Sequence, residues 1–151
     1  MPEIIISDTS CLVLLNKISQ IDLLRLCYQT VYITPDILQE YGNPVPDWII
    51  VEEPKDVFLQ KTLEQVLDKG EASALTLAIE KQHATIILDD LRARKVAKSL
   101  NLKITGTLGV LVKAKQDRII AKVKPLVNEL QKTDFRVSPN IIQEILKVCG
   151  E

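Results

Sequence analysis

The feature that most constrains the fold is a repeated alternation. A short apolar, β-branched run is followed by a polar cap and then by a stretch with helical spacing. Residues 3–7 (E-I-I-I-S) are apolar on both parities, as expected of a strand buried on both faces of a parallel sheet. Asp8-Thr9-Ser10 supplies N-cap chemistry for a helix over residues 11–16. Residues 21–26 form a second helical stretch, and Val31-Tyr32-Ile33 a second strand. Thr34-Pro35 opens a helix that carries Ile37, Leu38 and Glu40 and stops near Gly42. Residues 49–51 predict a third strand and residues 57–67 a helix. Gly70 then breaks the chain ahead of a small-residue helix over 71–81. Residues 84–88 (A-T-I-I-L) are a buried strand, and Asp89-Asp90 open a basic helix over 91–100. Residues 102–104 give a further strand, and 105–109 a turn into a helix ending near Lys115. Amphipathic helices over 125–132 and 140–148 close the chain, and the apolar stripe of the second, Ile141, Ile142, Ile145, Leu146 and Val148, is expected to cover the core, with an interface as the alternative. Strands alternating with helices predict an α/β fold, a three-layer α/β/α sandwich with a mainly parallel central sheet.

A chain of 151 residues fits one domain, here residues 1–151, and buries a core without disulfides. Aromatics are only 4 % against 46 % hydrophobic residues, so the core must be aliphatic. The three cysteines, Cys11, Cys27 and Cys149, show no CxxC spacing and read as small core residues of a reduced protein. No secretory leader is evident, and no apolar run nears the ~20 residues that span a bilayer. A cytoplasmic location and no membrane partner are therefore expected. A net charge of -1 neither requires nor excludes nucleic acid, since a local basic patch suffices.

In an open α/β sheet, ligands bind beyond the carboxyl ends of the strands. Asp8 follows the first strand and Asp89-Asp90 follow A-T-I-I-L. Like charges gathered there are unfavourable unless a cation neutralises them or a carboxyl group keeps its proton. A hard, oxygen-seeking ion, Mg²⁺ or Mn²⁺, is the natural partner. Taken singly, each acid has a plainer reading: Asp8 and one of the Asp pair as N-caps, Glu71 as first-turn dipole decoration, Glu40 as a solvated helix residue. The coincidence of several such acids at strand ends and helix starts carries the inference.

The segments I-I-I-S-D-T-S, I-T-P-D-I-L-Q-E, G-E-A-S-A-L-T-L-A and I-I-L-D-D-L-R-A-R occur in the order and spacing of a PIN domain. The chain resembles the VapC-like ribonucleases, and more closely a prokaryotic PIN subgroup with G-E-A and G-T-L-G motifs. The match covers about residues 3–115, with the helices of 120–151 appended. The resemblance implies a metal-dependent endoribonuclease that cleaves single-stranded RNA. Its catalytic set is Asp8, Glu40, Glu71, Asp89 and Asp90, with Asp8, Glu71 and one or both of Asp89 and Asp90 on Mg²⁺ or Mn²⁺. Glu71 stands where many members carry Asp. Ser10 and Thr107 are implied as supporting polar groups. The same resemblance implies the toxin of a toxin–antitoxin pair, with an antitoxin protein and a homodimer as partners.

Arg92 and Arg94, on the helix that opens at Asp90, are candidate RNA phosphate contacts, with Lys95, Lys98, Lys103, Lys113, Lys115 and Arg118 behind them. The plain alternative is a solvated charged face. The sole histidine, His83, sits at a helix-to-strand junction and completes no triad. A phosphatase of the haloacid-dehalogenase type would show D-x-D where this chain has D-T-S. The competing functional class is a catalytically weak PIN-fold module that binds nucleic acid or protein.

Overall fold

The structure is a computed structural model and describes residues 3–151. Five strands, β1 (Ile4–Ile6), β2 (Thr30–Ile33), β3 (Ile49–Val51), β4 (Ala84–Ile87) and β5 (Lys103–Thr105), form an all-parallel sheet in the order β3-β2-β1-β4-β5. Helices α1 (Thr9–Lys17), α2 (Leu23–Cys27), α3 (Pro35–Tyr41), α4 (Val57–Leu63), α5 (Lys69–Glu80), α6 (Leu91–Ser99) and α7 (Thr107–Gln116) connect and cover it, giving three α/β/α layers. Helices α8 (Lys124–Gln131) and α9 (Pro139–Val148) complete the chain.

The central strands show why the apolar runs are unbroken. Ile5 and Ile6 on β1, like Ile86 and Ile87 on β4, have no exposed surface although their side chains point to opposite faces. The edge strands are wetter: Ile50 and Val51 of β3 and Lys103 of β5 are exposed. Leu12, Leu15, Ile33, Ile37, Leu75 and Leu77 fill the space between sheet and helices, so the core is aliphatic as composition requires. All three cysteines are free thiols. Among the described residues no helix is long and apolar enough to cross a membrane.

Strand order places the functional edge. The chain builds outward from β1 through β2 to β3, returns to β4 beside β1, and then builds the other way to β5. The order reverses between β1 and β4, and their carboxyl ends flank the crevice where such sheets bind ligands. The pairing Ile6↔Ile86 brings Asp8 and the Asp89-Asp90 pair to that one spot.

Three elements depart from expectation. Gly70 does not break the chain but lies within the first turn of α5. Asp68 caps that helix, accepting from Glu71 N at 2.8 Å, while Glu71 accepts in return from Asp68 N at 3.3 Å. A reciprocal capping box outweighs the ~1 kcal/mol that glycine costs a helix. The expected helix over 57–67 is regular only to Leu63 and ends in turns. Helix α9 was expected to lay its apolar stripe on the core. Ile142 is buried, but Ile141 is 46 % and Val148 70 % exposed, so the helix is only half seated.

Candidate active site

At the switch point a cavity of about 530 Å³ is lined by Asp8, Glu40, Asp68, Glu71, Asp89 and Asp90 at one end. Four of the expected acids reach it from separate elements, and the fifth, Asp90, shares the strand end of Asp89.

Asp8 is both cap and site residue. One carboxylate oxygen accepts from Cys11 N at 2.8 Å, opening α1. The other accepts from Asp89 N at 3.1 Å, tying the end of β1 to the end of β4. The residue is only 6 % exposed and has no ion-pair partner among the described residues. Burial first, and the Asp89 carboxylate second, push its pKa up to about 8.

Sequence left the Asp89-Asp90 pair unresolved; in the structure the two side chains do different things. Asp90 is the N-cap of α6, its Oδ2 accepting from Ala93 N at 2.9 Å, at the edge of the cavity. Asp89 turns into the cavity. Its Oδ1 accepts from Thr107 N at 2.9 Å, and its Oδ2 accepts from the Thr107 hydroxyl at 2.6 Å and from the Ser10 hydroxyl at 3.0 Å. Thr107 is fully buried and Ser10 is exposed at the rim. The G-T-L-G segment thus acts as a fork that fixes the Asp89 rotamer.

Glu40 and Glu71 form the adjoining wall. Glu40 accepts from the Thr9 hydroxyl at 2.8 Å, and burial raises its pKa. Glu71 is pushed up to about 7 by burial and by the Asp68 carboxylate, with Asp90 and Glu40 adding to the effect. Asp68, which the sequence reading passed over, is therefore part of the acidic wall. Gly70 permits this packing: a Cβ there would collide with Glu40 Oε1. Gly70→Ala should swing the flexible Glu40 carboxylate out and break its bond to Thr9. The helix-propensity gain of about 1 kcal/mol offsets that exposed bond, so the Tm should move by less than about 3 °C. Any nuclease activity of the groove should fall about tenfold if Glu40 takes part; a melt paired with a cleavage assay checks this, and unchanged activity removes Glu40 from the machinery.

The two arginines expected on RNA phosphates do not line this cavity themselves. Arg94 donates to Leu88 O at 2.7 Å and packs beside Gly106, bracing the end of β4. Arg92 is exposed over a neighbouring groove beside Val66, Asp68 and Asp90. The cations that line the acidic cavity are Lys17 and Arg136, which the sequence reading did not single out.

The donor set is all oxygen and suits a hard cation. Among the described residues, no three His, Cys, Asp or Glu side chains gather tightly enough to cage a metal ion. Mg²⁺ characteristically takes one or two carboxylates and completes its shell with water, which this arrangement fits. A buried Asp8 without a counter-charge is the atom-level reason to expect one.

A family model described as a PIN domain matches residues 4–151, running past the last of the acidic motifs into the C-terminal helices. No curated protein matches the chain.

Proposed function

The chain belongs to the PIN-domain family, a family of nucleases, and from that premise we propose that it is a Mg²⁺- or Mn²⁺-dependent endoribonuclease acting on single-stranded RNA. The observation that carries the proposal is the Asp8–Asp89 pair at the switch point, Asp8 buried and Asp89 half-buried, tied by fixed donors and without an ion-pair partner among the described residues. A divalent ion bound there would supply positive charge to the phosphoryl oxygens and acidify the attacking water.

The chain's own residues do the rest. Asp8 and Asp89 are the proposed ion holders, their carboxylates oriented before any ligand arrives by Cys11 N, Thr107 and Ser10. Glu71, pushed up to about 7, is near half protonation at neutral pH and can take up or release a proton at its carboxyl oxygens. Asp89, tied to Asp8 through its backbone N–H and oriented by Thr107 and Ser10, is the proposed ligand of the pair, while Asp90 caps α6 through one oxygen and lines the same cavity. Cleavage of a mixed single-stranded RNA pool, present with Mn²⁺ and stopped by EDTA, is the expected result. Intact RNA under both metals would support the non-catalytic binding module instead.

The VapC-like resemblance extends the proposal to a cytoplasmic toxin, active as a homodimer and held in check by an antitoxin protein. Growth arrest on expression of the wild-type chain, absent with Asp8→Asn, is the expected outcome; unimpaired growth would remove the toxin role.

A further inference from the structure

The cavity does not end at the carboxylates. Ser10, Val13, Leu14 and Lys17 all line it, and their spacing along α1 puts them on one stripe of that helix. At 1.5 Å per residue the stripe carries the groove about 10 Å from the acids to Lys17. There the segment between α8 and α9 closes over it, bringing Asp134, Phe135 and Arg136 to the lining. The groove is thus acidic at one end, apolar along its floor and cationic at the other.

We propose that Lys17, Phe135 and Arg136 form the RNA-holding end of this groove: the two cations take a phosphate beside the scissile one, and the Phe135 ring stacks on a base. This rests on the reading of the acidic end as a ribonuclease site. Phe135 is half-buried, so its ring is held while part of it faces the groove. Its backbone N–H donates to the Thr133 hydroxyl at 3.2 Å, fixing the turn. Arg136 Nη1 donates to Thr133 O at 3.0 Å, which positions the guanidinium and leaves its other N–H groups free for a phosphate. Lys17 pairs with Asp134 at 3.6 Å, but Asp134 is 96 % exposed. Such a pair is weak and readily exchanged for a phosphate. An unstacked base on an aromatic ring beside a backbone cation is how single strands, rather than duplexes, are held.

The test is binding of a short fluorescein-labelled single-stranded RNA to the full chain by anisotropy, with Ca²⁺ replacing Mg²⁺ and Mn²⁺, across a salt series. Lys17→Ala and Arg136→Ala should each weaken binding about tenfold and lower the salt slope by about 0.7. In Mn²⁺ the cleavage loss should fall mainly on KM. Asp134→Asn should act oppositely, tightening binding severalfold, because it frees Lys17 from its competitor; a merely structural role for the segment predicts no gain. Lys61→Ala removes an exposed charge on α4 outside the groove and should keep the wild-type slope. Wild-type binding with unchanged affinity and slope in both cation variants overturns this proposal and leaves the ribonuclease reading standing. A wild type that neither binds nor cleaves RNA overturns both.

Discussion

Asp8→Asn should lower metal-dependent RNA cleavage by at least about a hundredfold, the scale seen when one charge-stabilising group is removed from a preorganised site. The same variant, free of metal at pH 8, should melt higher than the wild type. The two effects share a cause. Asp8 is the most deeply buried of the acids and is held against the Asp89 carboxylate without a cation. Its ionised form is a liability in the metal-free fold and the reason an ion would bind. Asparagine keeps the shape and the acceptor for Cys11 N but presents an NH₂ toward Asp89 N, forfeiting one hydrogen bond. That loss is about 1–2 kcal/mol. Relief of a carboxylate pushed from 3.8 to about 8 is worth several kcal/mol. Relief wins, and the net sign is stabilising. Parallel cleavage assays and circular-dichroism melts in EDTA measure both arms. Equal cleavage by the two proteins would remove Asp8 from the chemistry. A lower Tm for Asp8→Asn at pH 8 would mean that its hydrogen bonds outweigh its charge.

What sequence could and could not reveal follows from how local each signal is. Strand, acid and cap stand next to one another in the chain, so I-I-I-S-D and T-I-I-L-D-D were legible as strand ends carrying acids. The choice between Asp89 and Asp90 was not, because it depends on partners far along the chain: Asp8 and Ser10 behind, Thr107 ahead. Glu71 was legible as a first-turn acid, whereas Asp68 and Gly70 were misjudged together. A D-x-x-E capping box was present, and reading it would have placed the helix start correctly. The basic helix after Asp90 attracted the phosphate-contact expectation because its charges are dense, but density says nothing of direction. Arg94 donates from Nη1 to Leu88 O at the end of β4, and Arg92 faces an adjacent groove that shares Asp68, Glu71 and Asp90 with the cavity. Lys17 stands at helical spacing from Ser10, Val13 and Leu14, a local signal that the density of charge elsewhere obscured, whereas Arg136 carried none: only the return of the C-terminal segment across α1 brings it to the cavity. The expectation for α9 holds for Ile142, Ile145 and Leu146 but not for Ile141 and Val148, because a strongly amphipathic pattern fixes which face is apolar, not how much of that face the fold covers.

The pH dependence of stability should change sign when a divalent ion is added. Asp8 has a folded pKa of about 8 against an ordinary 3.8, so between about pH 4 and 8 the native state keeps a proton that the unfolded chain has released. Stability then falls as pH rises through that window, by up to ~1.4 kcal/mol per pH unit, and is level on either side of it. Glu71 acts in the same direction between 4.5 and about 7, but it is only partly buried and solvent screening reduces its share. Glu151 works the opposite way in acid: Lys115 and the Val123 and Lys124 N–H groups hold its carboxyl down to about 2, so its contribution is lost as pH falls from 4.5. The metal-free protein should therefore be most stable near pH 4 to 5 and weaken steadily toward pH 8. Mn²⁺ bound at the proposed site would change the reference, because it would bind the ionised carboxylates and displace the proton. At a hundredfold excess over its Kd the ion adds about 2.7 kcal/mol, and its affinity should climb up to tenfold per pH unit until the pH passes the Asp8 pKa of about 8. Melts in EDTA from pH 4 to 9 should show a falling Tm, and the same series in saturating Mn²⁺ a flat or rising one. A Tm that stays level in EDTA between pH 5 and 8 would mean that Asp8 is ionised in the native fold without help. The main physical reason to place a cation between Asp8 and Asp89 would then be gone.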